Sequence, residues 1–284
     1  MTRPDPSWKR ICLTDNSYST WLLARYWAAP DHPSKRRLWN WIYAIAGRPE
    51  VCVRYAGTSR MRLDLEDGVQ SGIATDGYYE VEVWDALADY ATGADVVWDI
   101  GGHVGGVAIR AALNPRVKAV HCFEPNPRTA ERLKNNLRLN PDLPITHHDV
   151  ALGDKSETRT LHFGPPNNIG QTSLVVRPTE QGIPVECETA DGLIAAGRVA
   201  PPTLIKIDVE GFESQVLLGA SHLLASGLVK AIVFESAADP NGQLLSSEIP
   251  RLFEQFGYTV RHLVRRDRHL ELNENYLATR KATP

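Results

Sequence analysis

VVWDIGGHVGG, from Val96 to Gly106, is the stretch that decides the fold of this 284-residue chain. It begins as a short apolar run with β-branched residues and stops at paired glycines, a pattern typical of a buried parallel strand that ends in a turn. Gly101, Gly102 and Gly105 leave little side chain in that turn, so a ligand can approach the backbone and a helix can begin close to the strand. The stretch therefore predicts the first βα unit of a nucleotide-binding fold.

A second apolar run, Val117 to Phe123, ends in Glu124 and Asn126. An acidic residue at the tip of the second strand, about 20 residues beyond a glycine turn, is placed to accept hydrogen bonds from ribose hydroxyls. The two motifs together predict a site for an adenosine-bearing cofactor, with Glu124 at the ribose.

The spacing of the glycine turn bears on which adenosine cofactor is bound. A dinucleotide fold is expected to show G-x-G-x-x-G, whereas here the pattern is D-x-G-G-x-x-G-G, starting at Asp99 and including His103. This spacing favours S-adenosylmethionine over NAD, because no pyrophosphate has to be bound and Asp99 can help to hold the methionine ammonium. The simpler alternative is that any doubly wound domain has a glycine-rich first turn, and Glu124 weakens it.

Composition limits the partners of the chain. It is 43% hydrophobic with a net charge of -3, so it can bury a sizeable core and lacks the basic excess of a protein that grips phosphate backbones. Its four cysteines are scattered without a C-x-x-C pair, which predicts neither a disulfide framework nor a zinc site. No run approaches the roughly 18 apolar residues of a membrane span. We therefore expect a cytoplasmic protein without nucleic-acid binding or stable membrane insertion.

The N-terminal region is rich in tryptophan. Five of the seven tryptophans fall within the first 41 residues, in two short helical stretches split by residues 30–33. Such aromatic density predicts a helical cap packed on a core. A substrate lid, a surface for homo-oligomer formation, and a membrane-touching patch helped by the basic residues 35–37 are the alternatives.

Val51–Tyr55 and Arg60–Leu65 alternate with period two and predict a β-hairpin after the cap. We therefore divide the chain into residues 1–78, the Trp-rich cap and hairpin, and residues 79–284, the cofactor-binding domain.

From Asp95 onward, apolar runs of strand length alternate with helical patterns, which predicts right-handed βαβ units and a parallel sheet. We place strands at 95–100, 117–123, 144–150, 203–208 and 229–235, and helices at 105–113, 127–139, 211–225 and 246–256. Because a ligand lies over the carboxyl ends of such strands, Asp99, Glu124 and Asp149 are expected to converge on one crevice. Asp149 is placed to accept from an adenine amino group, or else to cap a loop.

Residues 152–202 break this rhythm with an insertion. Thr158–Phe163 and Ser173–Arg177 are predicted as strands on either side of the loop GPPNNIGQT, residues 164–172. A loop of that length inside a compact domain is more often functional than idle, so we expect the insertion to shape the acceptor pocket.

A further signal is LIKIDVEGFE, Leu204 to Glu213. Lys206 and Asp208 lie on the same side of a predicted fourth strand, with Asp208 at its carboxyl tip. A carboxylate there can orient or deprotonate an acceptor hydroxyl, bind a divalent ion, or only pair with Lys206. Glu235, at the tip of the predicted fifth strand, can join either arrangement.

DIGGHVGG, FEPN, VALGD, NNIGQTSL and above all IKIDVEGFE together resemble the FkbM family of S-adenosylmethionine-dependent methyltransferases, over roughly Tyr79 to Ser236. The resemblance implies an α/β class I methyltransferase (Rossmann-like) sheet, mostly parallel with an antiparallel last strand. It also implies methylation of a hydroxyl, on a sugar or a polyketide-type natural product. Arg261–Val264 and Tyr276–Thr279 suit the final hairpin, whereas His103 departs from the Asn that the family usually has.

The sequence thus predicts an S-adenosylmethionine-dependent O-methyltransferase of a small hydroxylated acceptor. The predicted catalytic residues are Asp208, Lys206 and Glu210. The predicted cofactor-binding residues are Asp99, Gly101, Gly102, His103, Gly105, Glu124, Asn126, Asp149 and Ala151. The predicted acceptor-binding residues are Asn168, Gln171, Thr172, Ser173 and Glu235.

A divalent metal stays open, with no ligands assigned. Two other functions remain as alternatives. One is a nicotinamide-dependent sugar dehydrogenase or epimerase, although the chain lacks its Tyr-x-x-x-Lys pair and its dinucleotide turn. The other is a non-catalytic module that binds the cofactor and recruits a partner.

Overall fold

The structure is a computed structural model that describes residues 26, 35–48, 50–76, 80–163, 172–175, 182–239, 241–264 and 273–280. By compactness the chain divides into two units. The first comprises residues 1–79 and 135–141, and the second comprises residues 80–134 and 142–284. Most of the first predicted Trp-rich helix, and the predicted acceptor-binding residues Asn168 and Gln171, lie outside the described residues.

The first unit contains a helix, a β-hairpin and a second helix: α1 (Lys35–Ile45), β1 (Val51–Tyr55), β2 (Ser59–Leu63) and α2 (Gly68–Asp76). The strands pair antiparallel, and β2 alternates buried and exposed residues as its period-two pattern requires. The predicted hairpin is confirmed. Asn136 and Asn140 accept hydrogen bonds from the backbone N–H groups of Arg62 and Arg60 at 2.7 and 3.0 Å, so the outer edge of β2 is satisfied.

The second unit holds the remaining elements. In chain order they are α3 (Val81–Ala88), β3 (Asp95–Ile100), α4 (Gly106–Ala112), β4 (Val117–Phe123), α5 (Pro127–Arg138, whose last four residues belong to the first unit), β5 (Ile145–His148), β6 (Ala151–Leu152), β7 (Glu157–His162), β8 (Gly182–Glu188), α6 (Ala190–Ala195), β9 (Leu204–Ile207), α7 (Glu213–Leu218), α8 (Ser221–Ala225), β10 (Ala231–Ala237), α9 (Glu248–Gln255), β11 (Tyr258–Leu263) and β12 (Asn273–Arg280).

Seven strands form the main sheet, in the order β11-β12-β10-β9-β3-β4-β5. β12 runs antiparallel to both of its neighbours, and the pairs from β10 to β5 are parallel. The predicted mostly parallel sheet with an antiparallel last strand is therefore confirmed. The chain first builds outward from β3 to β5 and then returns to the other side of β3 with β9. The carboxyl ends of β3 and β9 thus form a topological switch point, where ligands bind in such sheets.

The central strands are apolar at nearly every position because both faces of a parallel sheet are covered. All four residues of β9 and the first six of β10 are buried. Trp98 of β3 packs on Phe123 of β4 with ring centroids 5.1 Å apart, and its indole N–H donates to the carbonyl of Ala200 at 2.9 Å. The few polar residues of these strands are therefore exceptions, and each buried polar group needs a hydrogen-bond partner.

The predicted third strand, residues 144–150, is wrong at its end. Only Ile145–His148 joins the main sheet, and Ala151 and Leu152 pair in parallel with β8 in a separate sheet of order β6-β8-β7. Asp149 turns its side chain to Lys134 instead of continuing the strand. Residues 145–152 therefore contribute one strand to each of two sheets.

The predicted helix 211–225 is also wrong as one element, because it is divided into α7 and α8. A Cβ on Gly219 would lie 1.9 Å from the carbonyl oxygen of Gly153, so the chain approaches another backbone where the helix breaks. Asp191 then caps the second helix by accepting from the backbone N–H groups of His222 and Leu223 at 2.8 and 2.9 Å.

Within the insertion, the predicted strand 158–163 corresponds to β7, but β8 and α6 were not predicted. The predicted strand 173–177 is wrong for Leu174 and Val175, which form a bend, whereas Ser173 alone bridges to His162. Among the described residues no helix is long and apolar enough to cross a membrane.

Candidate functional site

The glycine turn after β3 packs against two neighbouring strands. The N–H groups of Gly101 and Gly102 both donate to the carbonyl of Phe123 at 3.0 Å. A Cβ on Gly101 would lie 1.8 Å from the carbonyl oxygen of Asp208, and one on Gly102 would lie 2.0 Å from Sγ of Cys122. Packing against the neighbouring strands therefore excludes a side chain at either glycine. The absence of side chains also leaves the backbone of the turn accessible to a ligand.

Glu124 lies at the tip of β4 and is almost completely buried. Its Oε2 accepts from the backbone N–H of His103 at 3.0 Å, and its Oε1 accepts from that of Asn126 at 2.9 Å. Burial raises the pKa of Glu124 to about 7, against the opposing effect of these two hydrogen bonds. Each oxygen keeps a second lone pair, so the carboxylate can still accept from ribose hydroxyls.

The predicted cofactor residues His103 and Asn126 thus contact Glu124 through their backbones. His103 adopts a left-handed conformation with φ 49°. The side chain of Asn126 is buried, and its Oδ1 accepts from the N–H of Arg128 at 3.1 Å in the first turn of α5. Asn126 therefore helps to start that helix.

Lys206, in the middle of β9, is the buried cation of the site. Its Nζ lies 3.0 Å from Oδ2 of Asp208, 3.1 Å from the carbonyl oxygen of Gly101 and 3.6 Å from Oδ1 of Asp99. Burial lowers the pKa of Lys206, but the carboxylates of Asp208, Asp99 and Glu80 outweigh burial and raise it well above its usual range. Lys206 is therefore a permanent ammonium that ties the glycine turn to the end of β9.

Asp99 has no exposed surface. Burial raises its pKa, and the Lys206 ammonium acts in the opposite direction. Its ion-pair partner Lys206 also binds the carbonyl of Gly101, so Asp99 helps to hold the ammonium that fixes the glycine turn. A direct contact between Asp99 and a cofactor stays a prediction.

Three carboxylates meet at the carboxyl end of β9: two of them follow that strand, and the third belongs to the neighbouring strand β10. Asp208, Glu210 and Glu235 each offer one oxygen, and these oxygens lie within 4.8 Å of one another. Asp208 is held by its backbone N–H, which donates to the carbonyl of Ile100 at 2.9 Å, and Glu210 has a left-handed φ of 53°. Such a group can accept hydrogen bonds from hydroxyls, take up a proton, or bind a cation with oxygen ligands.

Glu213 stabilises the turn that carries Glu210. Its Oε1 accepts from the N–H of Gly211 at 3.0 Å and from that of Val209 at 3.4 Å. Burial raises the pKa of Glu213 to about 7. Glu213 thus acts on the backbone of the turn, whereas Asp208 and Glu210 belong to the carboxylate group.

Other predicted site residues are placed differently. The side chain of Asp149 is 60% exposed, and both of its oxygens accept from Nζ of Lys134 at 2.9 Å. Ala151 is buried in β6, and Gly105 starts α4 with φ 92°. The roles of Asp149 and Ala151 in cofactor binding stay predictions.

Ser173 connects the insertion to the carboxylate group. Its hydroxyl donates to the carbonyl of Glu210 at 2.7 Å and accepts from the N–H of Val175 at 3.0 Å. Ser173 is 1% exposed, so it positions Glu210 through the backbone, whatever Thr172 beside it contributes. Acceptor binding by either residue stays a prediction.

Sequence reasoning missed two contributors. Glu80 is buried with φ 44° at the start of α3, and its charge acts on Lys206. Asn273 of β12 donates through Nδ2 to Oε2 of Glu235 at 3.2 Å. One signal could have revealed the contribution of β12: an antiparallel last strand begins where its parallel neighbours end, which places its first residues beside the site.

The sheet order with its antiparallel last strand and glycine turn defines the class I methyltransferase fold. The profile of the Methyltransferase FkbM domain matches residues 99–260, more than half of the chain. The chain belongs to the FkbM methyltransferase family, which favours a methyltransferase over the nicotinamide-dependent alternative.

Individual proteins are similar to it as well. Hexuronic acid methyltransferase AglP of Haloferax volcanii is 30% identical over 180 residues, which cover 61% of this chain and 72% of that protein. The structure of methyltransferase FkbM from Methylobacillus flagellatus KT is 15% identical with a TM-score of 0.43, covering 96% of this chain and 56% of that one. TYW2 of M. jannaschii in complex with AdoMet is 14% identical with a TM-score of 0.45, covering 81% and 84%.

Proposed function

We propose that the protein transfers a methyl group from S-adenosylmethionine to a hydroxyl of a sugar, with hexuronic acids as the first acceptors to test. The observation that carries O-methylation is the group formed by Asp208, Glu210 and Glu235 at the carboxyl ends of β9 and β10. Family membership supports methyl transfer. The similarity to a protein named hexuronic acid methyltransferase supports a sugar acid as acceptor.

The residues around the glycine turn fit S-adenosylmethionine. Glu124 is a buried carboxylate with lone pairs for the ribose hydroxyls, and Gly101 and Gly102 keep the turn free of side chains. The ammonium of Lys206 holds the carbonyl of Gly101 at 3.1 Å and so fixes the turn before a ligand arrives. When bound, the cofactor supplies an electrophilic methyl group.

An alcohol needs help to act as a nucleophile near neutral pH, since its proton must leave as the new bond forms. In the proposed reaction the acceptor oxygen takes the methyl, the carbon–sulfur bond breaks, and the hydroxyl proton passes to Asp208. Lys206 binds Oδ2 of Asp208, which leaves Oδ1 for that proton. Alignment of the hydroxyl oxygen with the methyl group supplies the remaining rate acceleration.

A divalent cation held by the same three carboxylates is a second route, because it would stabilise the alkoxide in place of a base. Purified enzyme treated with EDTA and then resupplied with Mg²⁺ or Mn²⁺ separates the routes. Activity that falls on chelation and returns with one ion indicates the metal. Activity that is insensitive to EDTA indicates the carboxylate base.

The test of the proposed function uses S-adenosylmethionine with a labelled methyl group and three acceptors: 4-nitrophenyl β-D-glucuronide, the matching neutral glucoside, and a catechol as a non-sugar hydroxyl. We expect an O-methylated glucuronide by mass spectrometry, and NMR then gives the methylated position. Cofactor binding without methylation of any hydroxylated acceptor would contradict the proposal and favour the interaction module.

A further inference from the structure

The far side of the carboxylate group is formed by β12, the strand that carries Asn273. Glu235 of β10 stands directly opposite Asn275 of β12 in the antiparallel register. Directly opposed residues of an antiparallel pair place their side chains on the same face of the sheet, with Cβ atoms about 5 Å apart. Asn275 therefore lies on the face that carries Glu235, and Glu235 lies within 4.8 Å of Asp208 and Glu210.

Asn275 is only 2% exposed, and among the residues that the structure describes its Nδ2 has no hydrogen-bond partner. Its neighbour on the same face, Asn273, donates to Glu235 at 3.2 Å. Buried amides are almost always paired, because an unmade hydrogen bond in the interior is unfavourable. An unpaired amide beside a group of carboxylates therefore indicates a missing partner at this place.

The chemistry of the two side chains restricts what that partner is. A carboxylate accepts hydrogen bonds, whereas an amide offers both a donor and an acceptor, and the two amide ends are interchangeable by a flip. A hydroxyl group both donates and accepts, so it satisfies Glu235 and either orientation of Asn275. A bare cation is repelled by the amide N–H and suits only one orientation.

We infer that Asn275 and Glu235 bind a hydroxyl of the acceptor next to the one that is methylated, and so select sugars that carry adjacent hydroxyls. The inference rests on the proposed function, since it assigns a subsite to the proposed acceptor. Asp208 then receives the proton of the reacting hydroxyl, while Asn275 and Glu235 hold its neighbour. The part played by Asn275 is binding, not proton transfer.

The test compares Asn275→Leu and Asn275→Asp with the wild-type enzyme. The leucine variant keeps the branching of the side chain with a larger volume. The aspartate variant keeps the volume and a polar group if the leucine variant folds poorly. Gln243→Leu, at an exposed position, is the control for loss of an amide. Three quantities are measured: KM and kcat for 4-nitrophenyl β-D-glucuronide, the Kd for S-adenosylmethionine by calorimetry, and the midpoint of thermal unfolding.

We expect Asn275→Leu to raise KM about tenfold, as for the loss of one good hydrogen bond, with the cofactor Kd unchanged. Its unfolding midpoint should stay the same or rise, because an unpaired buried amide is replaced by an apolar group. The 2-deoxy analogue of the glucuronide or another mono-deoxy analogue should show the same loss in the wild type and no further loss in the variant.

An unchanged KM in both variants would overturn the inference and leave the proposed function intact. A lower unfolding midpoint together with weaker cofactor binding in both variants would also overturn it, by showing that the amide is structural. Failure of the wild type to methylate any hydroxylated acceptor would overturn the proposed function, and this inference with it.

Discussion

The backbone N–H of His103 donates a hydrogen bond of 3.0 Å to Oε2 of Glu124. This contact joins the glycine turn after β3 to the tip of β4, and His103 makes it from a left-handed conformation with φ 49°. The other oxygen of Glu124 accepts from the backbone of Asn126. A buried carboxylate is therefore held in one orientation by two loops, and each of its oxygens keeps a second lone pair for a ligand.

The first prediction concerns the affinity for the cofactor. Replacing Glu124 by Ala removes at least one hydrogen bond between a ribose hydroxyl and a charged group, which is worth about 1.5–3 kcal/mol. We expect the Kd for S-adenosylmethionine to rise about 10- to 150-fold by calorimetry. Glu248→Ala, at an exposed position, should leave it unchanged. An unaltered Kd in Glu124→Ala would refute the ribose assignment.

The second prediction is a pH dependence of stability. Burial raises the pKa of Glu213 to about 7, above the value of 4.5 that it has without burial. Folding therefore favours the protonated carboxyl: its stabilising contribution is complete below pH 4.5 and is lost as the pH rises to about 7. In Glu213→Gln this loss should disappear, and the free energy of unfolding should fall less steeply with pH across that window.

Urea unfolding of wild type and Glu213→Gln at several pH values checks this prediction. The difference between the two curves isolates the effect of one carboxyl. Between its unfolded and folded pKa values, one carboxyl changes the free energy of unfolding by at most about 1.4 kcal/mol per pH unit. Parallel curves from pH 4.5 to 7 would show that Glu213 is not perturbed in this way.

The third prediction tests proton transfer. Asp208→Asn keeps the shape of the side chain but cannot accept the hydroxyl proton, so we expect kcat to fall about 10²- to 10⁴-fold. The Kd for the cofactor should change little. Asp142→Asn, on the exposed surface, is the matched control. Turnover equal to that of the wild type would remove Asp208 as the base.

Most strands of the main sheet could be predicted from the sequence because they are local apolar runs. Asp95–Ile100 and Val117–Phe123 were predicted with the bounds that they have in the structure. The antiparallel last strand came from the family resemblance and not from its own pattern. Glu124 and Asp208 were found because strand tips can be located once the strands are known, and Lys206 because it lies on the same side of its strand as Asp208.

The remainder depends on contacts between distant parts of the chain. The break before α8 follows from the close approach of Gly219 to Gly153, and no pattern near Gly219 encodes it. The contact of Ser173 with the carbonyl of Glu210 likewise requires the folded insertion. Asn275 enters the site only through its register with Glu235, which the sequence does not specify.

The fourth prediction concerns the close packing of the glycine turn. Gly101 and Gly197 both have positive φ, 80° and 66°, but a Cβ meets the Asp208 carbonyl oxygen at the first and nothing within 4 Å at the second. Gly197→Ala should cost about 1–2 kcal/mol from backbone strain alone. Gly101→Ala should cost about 1–3 kcal/mol more, measured by urea unfolding, because the clash is with backbone. Equal losses would show that the turn can move away.

The last prediction concerns the buried cation. Lys206→Met leaves the fully buried Asp99 without its ammonium, and breaking a buried pair in this way costs about 3–5 kcal/mol. Burial already raises the pKa of Asp99, and the loss of Lys206 raises it further, so protonation of Asp99 relieves the variant as the pH falls. The stability deficit of Lys206→Met relative to wild type should therefore shrink between neutral and acidic pH, as measured by chemical unfolding. Lys118→Met, at an exposed position, should stay within about 0.5 kcal/mol of the wild type at every pH. A deficit that is constant with pH would mean that Asp99 is not the group left uncompensated.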